Sequence, residues 1–157
     1  MKKRDTRVLR TQVLNLSEDE YYWALMEPAW GDRDGTAGTP GQRVLASTTY
    51  FFRDVANGGL EQALWNFDAA YVELVLESLD KLGASEQAVA VRTAIKLLLG
   101  ISPPVSQERR RARIEKYSRQ WLDKKIEPLN EQLYEESRLL PYFHHYIEQH
   151  PSEFFLD

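Results

Sequence analysis

Apolar residues recur at helical spacing along most of the chain. Val44, Leu45, Thr48, Phe51, Phe52 and Val55 fall three, four and seven positions apart, which predicts a helix over about 42–56 with one buried face. The same period predicts a helix over about 69–82 with Val72, Val75, Leu76 and Leu79 inward. Another runs from Ser85, as its cap, through Leu99, with Val89, Ile95, Leu98 and Leu99 inward. A short helix from Leu60 to about Phe67 joins the first two, carrying Leu60, Leu64 and Phe67 on one side.

Local stop and start signals divide these segments. Ser17-Glu18-Asp19-Glu20 is a capping box, so a helix carrying Tyr21, Tyr22, Leu25 and Met26 begins there, and Pro28 stops or kinks it. Residues 31–41 hold four glycines and form a loop. Asn57-Gly58-Gly59 ends one helix, Gly83 offers the left-handed C′ position of another, and Gly100 with Pro103-Pro104 closes a third. Ser106 opens a long basic helix reaching about Lys125. Pro128 and Pro141 each stand at the first helical position of a further helix. Leu129, Leu133 and Tyr134 ride on the first of these, and Tyr142, Phe143, Tyr146 and Ile147 on the second. Val8, Leu9, Val13 and Leu14 mark residues 1–16 as an arm or a short strand. There is no strand-rich stretch and no internal repeat. The expected fold is all-α, a single compact multi-helix domain of about seven helices over 17–157 behind the N-terminal arm.

Composition narrows the chemistry. The 157 residues contain no cysteine and three histidines. A thiol nucleophile, a thiolate metal site and a disulfide scaffold are excluded. Lys2, Lys3 and Arg4 are followed by Asp5 and no apolar run, and no stretch approaches the ~20 apolar residues of a membrane span, so a soluble, cytoplasmic chain is expected. No HExxH, phosphate-binding glycine loop or GxSxG turn occurs. His144 and Glu148 share a helix face but have no third ligand in view. No metal, cofactor or catalytic residue is therefore expected. Trp23, Trp30, Trp65 and Trp121 are read as packing residues, with Trp30 the most exposed.

Charge changes the picture more. The net charge of −4 hides an alternation of blocks. Residues 11–105 hold six basic and thirteen acidic side chains, residues 106–126 eight basic and three acidic, and residues 127–157 one basic and seven acidic. Arg109, Arg110, Arg111, Arg113, Lys116 and Arg119 spread around a helix rather than forming a stripe, and no aromatic platform accompanies them. Direct nucleic-acid binding is not expected, nor is membrane association. The acidic residues do form stripes. Glu73, Glu77 and Asp80 fall at i, i+4 and i+7, and Glu127, Glu131 and Glu135 at i, i+4 and i+8.

One segment is less generic. Tyr50-Phe51-Phe52-Arg53-Asp54-Val55-Ala56-Asn57-Gly58-Gly59-Leu60-Glu61-Gln62 resembles the Asn-Gly-Gly-Phe-x-Gln segment of a bacterial DNA-mimic protein family of small helical domains. Leu64-Trp65-Asn66-Phe67, Leu82-Gly83-Ala84 and the closing Tyr146-Ile147-Glu148-Gln149-His150-Pro151-Ser152-Glu153-Phe154 follow in the family's order, over about 45–155. Leu60 replaces the family's phenylalanine and His150 its asparagine. On their own chemistry Asn57, Gly58, Gly59 and Gln62 form a structural motif, with Asn57 capping or adopting a left-handed conformation, the glycines reversing the chain and Gln62 bonding loop backbone.

The resemblance implies a non-catalytic domain whose acidic face binds a basic DNA-binding protein such as a transcription regulator. Glu73, Glu77, Asp80, Glu131 and Glu135 are the partner-binding residues expected for that face. Carboxylates one turn apart are spaced at about 6 Å, against about 3.4 Å between phosphates of a DNA strand. Two stripes, or doubling in a homodimer, are needed to approach a duplex. An immunity-type protein that neutralises a toxin would use the same physics. A small ligand-binding or hydrolytic domain near Asn57, Gln62 and Trp65, or a helical dimerisation module, are the other readings of the chain.

Overall fold

Ser17 opens the first helix as its sequence predicts. In a computed structural model describing residues 4–32 and 35–157, its backbone N–H donates to the Glu20 carboxylate at 2.9 Å and the Glu20 N–H donates back to its hydroxyl. Helix α1 spans Glu18–Met26, and Pro28 converts it into a 3-10 turn, Glu27–Ala29. The next helix, α2, spans Pro40–Asn66 and begins slightly earlier than its apolar period suggests. The Thr39 hydroxyl accepts from the Gln42 N–H at 3.1 Å, with Pro40 in the first turn. The chain continues through α3 (Ala69–Leu82), α4 (Ser85–Leu99), α5 (Gln107–Ile114), α6 (Arg119–Lys125), α7 (Glu127–Glu131) and α8 (Leu140–Gln149). The fold is all-α, one compact domain with eight α-helices and no strand among the described residues.

Four local expectations are corrected. The segment 106–125 is two helices, because the Ser118 hydroxyl accepts from the Trp121 N–H at 3.1 Å and starts a new helix, while Tyr117 stacks on Trp121. Ser85 is the first helical residue rather than a cap. Gly83 at φ 72° and Ala84 bond back to Asp80 and Leu79, a turn that leaves Ala84 alone between α3 and α4. Val89 is 61% exposed, since α4 buries Ala88, Val91, Ala94 and Leu98, and Val89 faces away from that row. Leu76 and Ile95 are half-buried rather than inward.

α2 is the spine. Phe51, Phe52, Val55, Leu60 and Leu64 are fully buried, and α1, α3, α4, α5 and α7 all pack on it. The N-terminal segment joins the far end of the chain. Val8 N–H donates to the Phe154 carbonyl and Leu156 N–H donates to that of Val8, each at 3.0 Å. Gln42, fully buried, accepts from the Thr6 hydroxyl at 2.6 Å and donates to the Thr6 carbonyl at 3.0 Å, which ties this segment to the start of α2.

Candidate functional site

The Asn57-Gly58-Gly59 motif breaks α2. Gly58 (φ −152°, ψ 17°) and Gly59 (φ 80°, ψ 175°) leave the helical region, and the Gly59 conformation is one that essentially only glycine adopts. A Cβ on Gly59 would also lie 2.7 Å from Asn130 Nδ2, and one on Gly58 would collide with the Gln62 side chain. The break frees the Leu60 N–H, which donates to Asn130 Oδ1 at 2.8 Å. Asn130 is completely buried, and its Nδ2 donates to Glu127 at 3.0 Å and to Glu61 at 3.4 Å. Arg119 then donates to Glu61 at 3.1 Å and to Asp123 at 2.8 Å, bonds that raise its pKa above the ordinary guanidinium value, that to Asp123 most. The Tyr134 hydroxyl donates to Glu127 at 2.8 Å. Desolvation first, and then that carboxylate, push the Tyr134 phenol up to about 12.

Gln62 does not bond loop backbone. Its amide donates to Asp54 at 3.1 Å, and the Asn66 amide donates to the other Asp54 oxygen at 2.9 Å, so one carboxylate spans the break. Asn57 is exposed, and its side chain makes no hydrogen bond among the described residues. It has no left-handed backbone, because Gly59 takes the reversal. Asn57, Asp54, Asn66, Trp30 and Tyr50 line an open pocket of about 340 Å³. Trp65 is not part of it. Its indole N–H donates to Glu115 at 3.0 Å, its ring lies 4.0 Å from the Arg111 guanidinium, and its carbonyl accepts from Arg111 and Gln107. Asp54 is the one carboxylate among the described residues of the pocket, and both its oxygens are already engaged by amides.

The acidic candidates lie on the surface. Glu73, Glu77 and Asp80 are exposed on α3, and Asp80 is paired with Arg92 at 2.6 Å. Glu131 is exposed at the last residue of α7. Glu135 lies beyond that helix and pairs with Arg138 at 3.2 Å, while Glu127 turns toward Asn130 and Tyr134. The helical register expected for 127, 131 and 135 therefore ends at Glu131, because α7 is only five residues long. α3 and α7 both pack on α2 and α4.

Half of the basic block is engaged by the fold, while Arg109, Lys116, Lys124 and Lys125 stay exposed. Arg110 is buried, and desolvation lowers its pKa below the usual guanidinium value. Arg113 donates to the Leu99 carbonyl, Arg111 stacks on Trp65 and Arg119 holds Glu61. Sequence reasoning missed these roles and the role of Asn130. Trp23, 40% exposed, is also more open than Trp30, which is half-buried between Trp23 and Tyr50. His144 Nε2 lies 3.2 Å from Glu148 on one exposed helix face, as their spacing predicts. Among the described residues no group of three or more acidic or histidine side chains could hold a metal ion, and no helix is long and apolar enough to cross a membrane.

A protein-family model described as DMP19-like protein matches residues 36–150, a span that takes in the broken α2, both acidic helices and the basic block. No curated protein and no solved structure matches the chain. The match agrees with the DNA-mimic resemblance carried by the residues around Asn57 and by the closing segment. With most of its length inside that match, the chain belongs to the DMP19-like protein family.

Proposed function

We propose that this protein is a non-catalytic DNA mimic that uses an acidic surface to occupy the basic face of a DNA-binding protein, such as a transcription regulator. The observation that carries this reading is the exposed, unpaired carboxylates of α3 and α7. Glu73, Glu77 and Glu131 are exposed and carry no ion pair among the described residues, while Arg111, Arg113 and Arg119 of the central basic block are engaged on Trp65, Leu99 and Glu61. These carboxylates are free to meet cations on another molecule. Asp80 and Glu135 belong to the same face with weaker effect, each being shared with an arginine of this chain. Carboxylates spaced one helical turn apart are sparser than phosphates, so the α3 stripe acts together with Glu131 of α7, with a second copy of the chain extending them.

Complementary charge of this kind raises association rate and selectivity, and it weakens as salt screens it. The test is capture of partners from lysate with the wild-type chain and with a Glu73→Lys, Glu77→Lys, Glu131→Lys variant, followed by challenge with duplex DNA. The expected result is a basic DNA-binding protein that is released by high salt, is displaced by duplex DNA, and is not captured by the variant, whose melting temperature stays near that of the wild type. A captured partner that duplex DNA does not displace, such as a toxin, overturns the mimic. Undiminished capture by the variant removes this face.

A further inference from the structure

The loop between α4 and α5 holds the two most exposed large apolar side chains among the described residues. Ile101 is 87% exposed and Val105 85%, with Pro103-Pro104 between them. Leu97, on the last turn of α4, is exposed as well. Single apolar residues on a surface need no explanation, but several together mark a contact with something else. Membrane association is not expected from the sequence, where Ile101 and Val105 read as ordinary apolar residues beside a helix end. The fold leaves both uncovered.

Two open grooves flank this loop and meet at Gly100. One, of about 380 Å³, is lined by Leu76, Ile95 and Ile101 with Arg92 and Lys96. The other, of about 370 Å³, is lined by Leu97 and Tyr117 with Arg113 and Lys116. Every charged side chain in the two linings is basic, and no carboxylate lines either groove among the described residues. Arg92 is compensated by Asp80 of α3, and the exposed Glu108 and Arg109 of the first α5 turn offset each other. Lys96 and Lys116 are exposed with no ion pair among the described residues. Arg113, also exposed, donates to the Leu99 carbonyl, which leaves its charge uncompensated.

Projecting aliphatic side chains flanked by cations suit an anionic bilayer better than a protein. A protein partner has to supply a fitted pocket for each anchor. Acyl chains accept a projecting side chain of any shape, while lysine and arginine stems lie along them and place their charges among the headgroups. We propose that this loop docks the protein on anionic lipid bilayers, with Ile101 and Val105 inserted among the acyl chains and Lys96, Arg113 and Lys116 on the phosphates.

Sedimentation of the full chain with lipid vesicles tests this. One set contains equal parts of phosphatidylglycerol and phosphatidylcholine, the other phosphatidylcholine alone. The wild type is expected to sediment with the anionic vesicles and much less with the neutral ones. Lys116→Gln weakens binding to the anionic vesicles about five-fold, the worth of one cation at such a surface. Ile101→Ser combined with Val105→Ser weakens it by about ten-fold or more, since both side chains lose their place among the acyl chains. All three side chains are exposed, so both variants keep the melting temperature of the wild type. A wild type that stays in solution with the anionic vesicles overturns the proposal, and so does equal binding to both kinds. Unchanged affinity in the serine variant overturns the insertion, and in Lys116→Gln it overturns the headgroup contact.

Discussion

Tyr134 keeps 37% of its surface in water, yet its hydroxyl is held on both oxygens of Glu127. The neutral phenol is the form that desolvation and the carboxylate favour, so its pKa rises from 10.0 to about 12 on folding. The sign of the linkage follows. Stability contributed by protonated Tyr134 is intact below pH 10 and is lost as pH climbs from there toward about 12, where the unfolded chain has released a proton that the folded one still holds. Tyr21, Tyr22 and Tyr146 are raised by burial too, so the contribution of Tyr134 is read as a difference. Melting curves of Tyr134→Phe are expected to fall less steeply with pH than those of the wild type across that window, and parallel curves would assign the alkaline loss to the other tyrosines.

At the scale of elements, α7 is too short to persist by itself, since isolated helices shorter than ~12–15 residues are marginal in water. It is fixed by Asn130, which reaches across to the backbone that α2 leaves open at its glycine break. Asn130→Ala strands the Leu60 N–H and takes a donor from Glu61 and Glu127. A loss of about 2–3 kcal/mol is expected, measured as a lower urea midpoint with an unchanged slope. Elements governed by neighbouring residues were legible in the sequence: the Ser17 box, the Ser106 cap, the Gly83 terminus and the break at Gly58-Gly59 all depend on residues within one turn. Ser118 offered the same kind of signal, but the apolar and basic period on either side of it reads continuously. Val89 misleads because alanines do most of the packing on α4, and an alanine row carries little hydrophobic contrast. The partner of the broken backbone was hidden for a different reason. Asn130 lies 70 residues from Leu60, and no local pattern distinguishes it from any other helical asparagine.

Over the whole molecule, the alternation of charge along the chain stays largely on the surface: of the basic block only Arg110 is buried, and Arg109, Lys116, Lys124 and Lys125 are exposed as the acidic residues of α3 are. Three cations of that block, Arg111, Arg113 and Arg119, tie α5 and α6 to α2 and α4. The charge blocks are plain in the sequence, but which of their cations the fold engages is decided by contacts 14 to 58 residues away, which no local pattern marks. α2 is the member on which α1, α3, α4, α5 and α7 all pack. The single proton on Leu60 N–H carries a consequence in time. It is protected from solvent only while Asn130 sits against it, so its exchange with deuterium reports each departure of α7 from the spine, separately from unfolding of α2 itself. It should exchange faster than the buried amides of Phe51 and Phe52, and faster still in Asn130→Ala. An exchange rate for Leu60 equal to theirs in the wild type would mean that α7 leaves only when everything does.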